Sequence, residues 1–464
     1  MKILLVNPPE ASQGGFSSPP IGLAYLASIL ELNNFSVKIA DGYLLGKKGI
    51  EQEIKQSNPD IVGITCYTPG RIDAINIGAI AKQYNKDIIT VIGGAHPTIM
   101  WKQILENYEF IDICVLGEGE QTLLEIAKGM LLKEINGIAY LENNKIIKTK
   151  PRKYFENLDD IPFPAWHLLD IKKYPCRGDK IINGIDLNKE PRVSVIFSRG
   201  CAGSCNFCST WWIWKKHRVR SAKNMVGELE LLNKKYKIKH FAFADDEFSE
   251  NINAAKELCH EIINRDLNIV WFATSRVDRV DVELLNLMKQ AGCYEISYGI
   301  ESGSQEILDI IGKGTTIQQA KDAIFNTINA GIKAYPLLIV GNVGETSKTI
   351  NQTIELLKEL KTDEFGTIGG LWILPGTKLY RRAIKENILN DDYWLKDLPT
   401  PFYYKENSRK EIDKFIYALT AKVKLGTFEF WLGYSNTAQI IRKNFSKFKL
   451  LRIFWKYLRK RNNK

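Results

Sequence analysis

Residues 192–208 read RVSVIFSRGCAGSCNFC. The first seven form a continuous run rich in β-branched and aromatic residues, which predicts a buried strand ending just before Gly200. Three cysteines follow at once, Cys201, Cys205 and Cys208, in the spacing CxxxCxxC. Intervals of four and three residues in a glycine-containing loop keep the sulfurs within one loop's reach. They can wrap three corners of a 4Fe-4S cubane and leave the fourth iron without a protein ligand. The competing readings are structural zinc, with His217 as a fourth ligand, and three unrelated buried thiols; zinc knuckles more often pair CxxC units. A strand that opens into such a loop at its C-terminal end is where a parallel βα barrel carries its chemistry.

Toward the C-terminus the rhythm repeats in HFAFADDEF, NIVWFATSR, YEISYGIES, AYPLLIVGN and FGTIGGLWILP, with helical segments between. Six strands in βα succession predict a partial (β/α)6 barrel of the TIM type over residues 191–395. Toward the N-terminus, KILLVNP, SVKIAD, IVGIT, DIITVIGG and DICVLG alternate with helical patterns. Residues 1–150 are therefore expected to form a doubly wound parallel sheet with its ligand loops at the carboxyl edge. GIAYLENNKIIKTK predicts a hairpin turning at Glu142 to Asn144, and the Pro-rich stretch after it a linker over 151–190. The overall expectation is an α/β protein with a helical extension over 396–464.

A hydrophobic content of 45% and a charged content of 25% exclude wholesale disorder and an integral membrane protein. Eight cysteines, three of them crowded together, do not resemble a secreted disulfide framework. No apolar run is long enough to span a bilayer, and the chain opens on MKILLVNPP without a signal peptide, so a cytoplasmic location is expected. The net charge is +11, but residues 441–464 hold ten Lys or Arg and no acid. The excess is thus a tail, and no nucleic-acid groove is expected in the body.

With Phe207 before its last cysteine, the triad resembles the motif of the radical S-adenosylmethionine superfamily. FADDEF at 243–248, TSRVD at 274–278, GIESGS at 299–304, IVGNVGET at 339–346 and LPGTKLY at 374–380 look like strand-end blocks of one branch. That branch carries an N-terminal cobalamin-binding domain and includes anaerobic Mg-protoporphyrin ester cyclase and many C- and P-methylases; the likeness covers about residues 1–395. It implies that the open iron chelates S-adenosylmethionine, and that an electron from a donor such as flavodoxin or ferredoxin releases a 5'-deoxyadenosyl radical. Carried onto this chain, it places Phe207, Asp245, Asp246, Arg276 and Glu301 at S-adenosylmethionine. Read by themselves, Asp245 or Asp246 could instead cap a helix, and Arg276 could pair with Asp278 at the surface. GNVGET departs from the family's usual GxPGET.

NPP at 7–9, PPIGLAYLAS at 19–28, GGAHPT at 93–98 and LGEGE at 116–120 resemble the cobalamin domain of the same branch. The resemblance implies cobalamin contacts at Thr65, Gly93, Gly94, His96, Thr98, Gly117, Glu118 and Gly119. Such glycines let backbone approach a flat group closely. The DxHxxG signature that supplies a cobalt-ligating histidine is absent, since Asp41 is followed by GYLLG. His96 reads as a corrin contact or as a hydrogen-bonded loop histidine, and a domain that has lost its cofactor is a further alternative.

The resemblance implies methyl transfer from methylcobalamin to an unactivated carbon or to phosphorus. A cyclase-type oxidation or ring rearrangement would leave the same motifs, and a non-catalytic corrinoid or redox sensor is the alternative of another class. Methylthiotransferases carry a second cysteine triad in the N-terminal domain, which here has only Cys66 and Cys114. Cys176, Cys259 and Cys293 read as small core or surface residues. Ile441, Phe445, Phe448, Leu451, Trp455 and Leu458 recur at helical spacing among basic residues. That pattern fits a helix lying in a membrane interface, and with it a lipidic substrate in place of a soluble small molecule; it equally fits a helix packed on the barrel.

Overall fold

The computed structural model describes residues 1–9, 18–176, 180–362 and 364–423. Strands β1 (Lys2–Asn7), β2 (Ser36–Asp41), β3 (Ile61–Thr65), β4 (Ile89–Gly93) and β5 (Ile113–Val115) form a parallel sheet in the order β2-β1-β3-β4-β5. The antiparallel pair β6 (Ile138–Glu142) and β7 (Lys145–Lys148) extends it. Side chains alternate across a strand, so β1 feeds two cores. Ile3 and Leu5 pack with Leu23, Ile29 and Leu123, while Leu4 and Val6 pack with Ile50, Ile54, Ile77 and Ile104. Both faces being covered explains why β1 and β3 are apolar without interruption. The hairpin turns through Asn143 and Asn144, both at positive φ as a tight two-residue turn requires.

After the short hairpin β8 (Ile181–Ile182) and β9 (Ile185–Asp186), the second sheet begins. It runs β10 (Arg192–Val195), β13 (His240–Phe243), β14 (Val270–Ser275), β15 (Cys293–Glu301), β16 (Lys333–Val340) and β17 (Gly366–Gly369), every neighbouring pair parallel and in chain order. This is a half-barrel. The core between its strands and helices includes Phe243, whose ring meets those of Phe248 and Trp271 edge-on at 4.9 Å each. Residues 192–199, expected as one strand, are divided in two. After Val195 the chain leaves the sheet, and β11 (Ser198–Arg199) pairs antiparallel with β12 (Arg218–Val219). The cause sits at the end of β13, where the Asp245 carboxylate accepts the Phe197 N–H at 3.4 Å and that of Ser198, drawing both off the ladder.

Helix Arg409–Lys422 covers the edge at β17 with Ile412, Ile416 and Leu419 and starts in a capping box of Ser408 and Glu411. The basic tail at 441–464 lies outside the described residues.

The segment that follows β17 returns to the first sheet. Arg71, 1% exposed, donates from Nε to the Trp394 carbonyl at 2.8 Å and from Nη2 to those of Lys396 and Leu398 at 2.6 and 2.9 Å. Its guanidinium also lies 5.3 Å from the centre of the Trp394 ring. An Arg71→Met variant is expected to lose about 3 kcal/mol of stability, because these carbonyls would lose their donor. Hydrogen exchange of residues 390–400 should then quicken, while that of β13 and β14 stays unchanged.

Candidate active site

The cysteine loop is tied at both ends by backbone. Gly200 has φ +95°, and a Cβ there would lie 2.3 Å from the Lys216 carbonyl oxygen, so only glycine fits. Asp246 accepts the Gly200 N–H at 3.2 Å and the Thr210 hydroxyl at 3.0 Å, and Asp245 accepts the Ser198 hydroxyl at 2.6 Å. Both aspartates therefore hold loop backbone. Asn206 fastens the far side, donating to the Ile310 carbonyl at 2.7 Å and accepting the Leu379 N–H at 3.0 Å. Phe207 wedges between the Ile307, Leu308 and Ile311 cluster and the one around Met100 and Leu379.

Cys201, Cys205 and Cys208 are half-buried, whereas Cys66, Cys114, Cys259 and Cys293 are buried. The sulfurs of Cys201 and Cys205 flank Gly203, where a Cβ would stand 3.2 and 3.9 Å from them and 3.1 Å from Arg276 Nη1. Among the described residues no three His, Cys, Asp or Glu side chains converge on a single ion. Burial pushes the Cys201 thiol up to about 11 and raises Cys205, while Arg276 pulls both down and Lys313 pulls Cys205 down.

Arg276, at the end of β14, is held bidentate by Asp278 at 2.9 and 3.0 Å and is buried beside the thiols. Lys313 donates to Glu301 at 2.8 Å; burial opposes its charge, and Glu301 and the Cys205 thiol outweigh that. Glu301 ends β15 with φ +65°, a conformation that costs a non-glycine residue about 1 kcal/mol or more.

At the carboxyl edge of the first sheet, Thr65 pairs in register with Gly93. Gly94 has φ +107°, and its Cβ would meet the Cys66 carbonyl oxygen at 2.8 Å. The Thr98 hydroxyl donates to the Gly94 carbonyl at 2.7 Å and accepts the Gly117 N–H at 3.1 Å, joining the β4 and β5 loops. His96 is turned inward; its Nδ1 sits 3.2 Å from the Thr68 hydroxyl and its ring meets Trp394 edge-on. Burial, helped by Arg71, pushes it down to about 3. Glu118 is turned toward Arg199 and Arg218, and Gly119 packs near Leu26. A cavity of about 680 Å³ lined by Lys102, Phe110, Leu141 and Ile146 opens beside the β6–β7 hairpin; none of these site residues line it.

Residues 12–127 match the B12 binding domain family and residues 195–357 the Radical SAM superfamily. An uncharacterized methyltransferase of Pyrococcus horikoshii is 37% identical over 85% of this chain and 86% of its own. The chain belongs to the radical S-adenosylmethionine enzymes that carry a B12-binding domain. The anaerobic magnesium-protoporphyrin IX monomethyl ester cyclase of Rubrivivax gelatinosus is 35% identical to the enzyme over 78% of this chain and 66% of its own. The fold matches the radical S-adenosylmethionine methyltransferase TsrM from Kitasatospora setae with cobalamin and a [4Fe-4S] cluster bound. There the TM-score is 0.69 and the identity 20%, covering 83% of this chain and 75% of that one.

The enzyme's cofactors are accordingly a 4Fe-4S cluster, S-adenosylmethionine and cobalamin. The residues fit them: the half-buried thiols of Cys201 and Cys205 lie beside Arg276 and Lys313, each already paired with a carboxylate of Asp278 or Glu301, a charged lining that suits an anionic cluster and a ligand with both amino and carboxylate groups. Gly94 is required by the Cys66 backbone packed against it, and it stands at the carboxyl edge of the sheet within the stretch that matches the B12 binding domain family. Lys313 and Glu247 escaped the sequence reading. GKGTT follows a helix and resembles an ordinary C-terminal cap, so nothing local marks Lys313. Glu247 is buried with Ser249 and Ser275 hydroxyls on it at 3.2 and 2.9 Å, and burial pushes it up to about 7.

Burial likewise pushes Asp245 up to about 7. The unfolded chain releases this proton near pH 4 while the folded enzyme keeps it to about pH 7, so stability falls as the pH rises through that window. The urea midpoint is expected to drop between about pH 5 and pH 7.5, and the drop should shrink in Asp245→Asn. An equal drop in both proteins would refute this role for Asp245. Among the described residues no helix is long and apolar enough to cross a membrane.

Proposed function

We propose that the enzyme transfers a methyl group to an unactivated carbon, or to phosphorus, of a small molecule bound between the two sheets. The observation that carries this is the cysteine loop fastened through Arg199 and Arg218 directly onto the LGEGE loop of the B12-binding domain. When bound, the cluster and S-adenosylmethionine supply a carbon-centred radical and the cobalamin a methyl group. Cys201, Cys205 and Cys208 hold the cluster. Arg276 and Lys313 balance its charge and receive the carboxylate of S-adenosylmethionine, and Glu301 turns to its ammonium. Phe207 backs the site, while Asp245 and Asp246 act through the loop they hold. Thr65, Gly93, Gly94, Thr98, Gly117 and Gly119 border the cobalamin; His96 and Glu118 support that edge from inside.

We read the chain as a cobalamin domain at 1–150, a linker at 151–190, a barrel at 191–395 and a helical region beyond, a reading supported by the two sheets and by helix Arg409–Lys422. An electron donor of the flavodoxin or ferredoxin kind delivers to the exposed side of the thiols. The tail at 441–464 brings the enzyme to membrane lipid if the substrate is lipidic. Oxidative cyclisation is the second reading, favoured by the cyclase relative. Anaerobic reconstitution with reductant, cobalamin and S-adenosylmethionine tests the proposal. Bound corrinoid and 5'-deoxyadenosine are expected, with a product one methylene heavier than its substrate. Oxygen gain or hydrogen loss would favour the cyclase reading, and absence of 5'-deoxyadenosine would sink both.

A further inference from the structure

Four buried charges join the two halves of the enzyme. Arg199 donates from Nη1 to Glu118 at 2.8 Å and from Nη2 to Glu120 at 2.6 Å. Arg218 Nη1 reaches the two oxygens of Glu118 at 2.9 and 3.1 Å and the Phe155 carbonyl at 2.7 Å. The four side chains are at most 9% exposed. Aromatic faces close over them: Tyr25 and Trp214 on Arg199 at 5.4 and 5.7 Å, and Tyr154 on Arg218 at 4.9 Å. Burial works against the Arg199 charge, and Glu120 and Glu118 more than offset it.

Their position in the chain gives the cluster its meaning. Arg199 and Arg218 are cross-strand partners in β11–β12, the ladder that closes the loop holding all three cysteines. Glu118 stands in the loop after β5 and Glu120 opens the helix Glu120–Ala127 that follows, beside the cobalamin edge. A buried ion network adds little stability over an apolar replacement, and its better-attested use is to select one geometry among several. The remaining Nε and Nη2 of Arg218 have no hydrogen-bond partner among the described residues, which fits a network kept for placement more than for stability.

We infer that Arg199, Arg218, Glu118 and Glu120 are positioning residues that fix the separation between the iron-sulfur cluster and the cobalamin. The inference rests on the reading that both cofactors bind. The readout is the relaxation of the cobalt(II) EPR signal when the cluster is reduced, since a paramagnetic neighbour speeds it with a steep dependence on distance. It is measured on the full chain loaded with both cofactors and purified as the folded fraction. In Glu118→Gln the enhancement is expected to fall by about twofold, because a site whose supporting shell is removed drifts by about 1 Å. The enhancement is compared in the fraction that carries both cofactors, as its iron and cobalamin contents report. Arg199→Lys keeps the charge without the fork and should give an intermediate value. Should Glu118→Gln not fold, Glu120→Gln removes one of the two negative charges paired with Arg199 and is read in the same way. Parental enhancement in the variants, with both cofactors present, overturns the inference. A parent that takes up no cobalamin instead overturns the cofactor reading on which it stands.

Discussion

A Cys205→Ala enzyme is expected to produce no more 5'-deoxyadenosine than enzyme-free controls, a loss of at least about 10³-fold, or about 4 kcal/mol of barrier. Cys205 is the middle thiol. It shares the Gly203 turn with Cys201, and its charge is coupled to Cys208, Lys313 and Arg276. Removing it leaves two corners of the cubane unjoined, and with them no defined open iron to receive S-adenosylmethionine. Iron content after anaerobic reconstitution should fall in parallel, while cobalamin uptake, which depends on the other sheet, should not. Cys176 lies exposed in the linker and serves as the control, since Cys176→Ala should change neither. Undiminished cleavage by Cys205→Ala would remove the triad as the cluster site.

The second large effect is expected at Gly200. A valine there would need φ near +95° and would set its Cβ 2.3 Å from the Lys216 carbonyl oxygen, a backbone atom that cannot swing aside. Strain of this kind costs about 1–3 kcal/mol for the dihedral alone, and the clash adds to it. The chain can relieve both only by opening the β11–β12 ladder. Gly200→Val should therefore load little cluster, and residues 196–220 should become the first site of proteolytic cleavage. By contrast Gly184→Val, at φ +77° in the β8–β9 turn with open space around it, should lose stability by dihedral strain yet keep its iron. Equal iron in the two variants would show that the ladder is not what shapes the loop.

The parallel sheets were legible because their central strands are buried on both faces, which makes them largely apolar, as in KILLVN and HFAF, while β2 at one edge alternates. The cysteine triad was legible because its chemistry requires contiguous spacing. Partners far apart in sequence were not. Asp245 reads as a strand-end acid, and only the bend after Val195 shows that it holds the loop from 47 residues away. The strip of Arg71 contacts to residues 394–398 leaves no pattern in either segment, since its acceptors are backbone carbonyls that any sequence offers. Lys313 becomes visible only when β15 brings Glu301 beside it. His96 stands in a block that resembles cofactor-binding loops, yet its ring is enclosed by Thr68 and Trp394, a detail of packing that spacing does not carry.

The antiparallel ladder at the base of the cysteine loop has an entropic consequence. Residues 200–217 form a ring already closed by protein hydrogen bonds. Closing a flexible loop of that size costs on the order of 2–3 kcal/mol, and the ladder's hydrogen bonds share in offsetting that cost. Metal-binding free energy is thus not alone in gathering the chain, unlike in small domains that fold only around their ions. The ladder should accordingly lower the share of binding free energy that goes into ordering the cysteine loop, so that the grip on iron depends on hydrogen bonds made outside the loop itself.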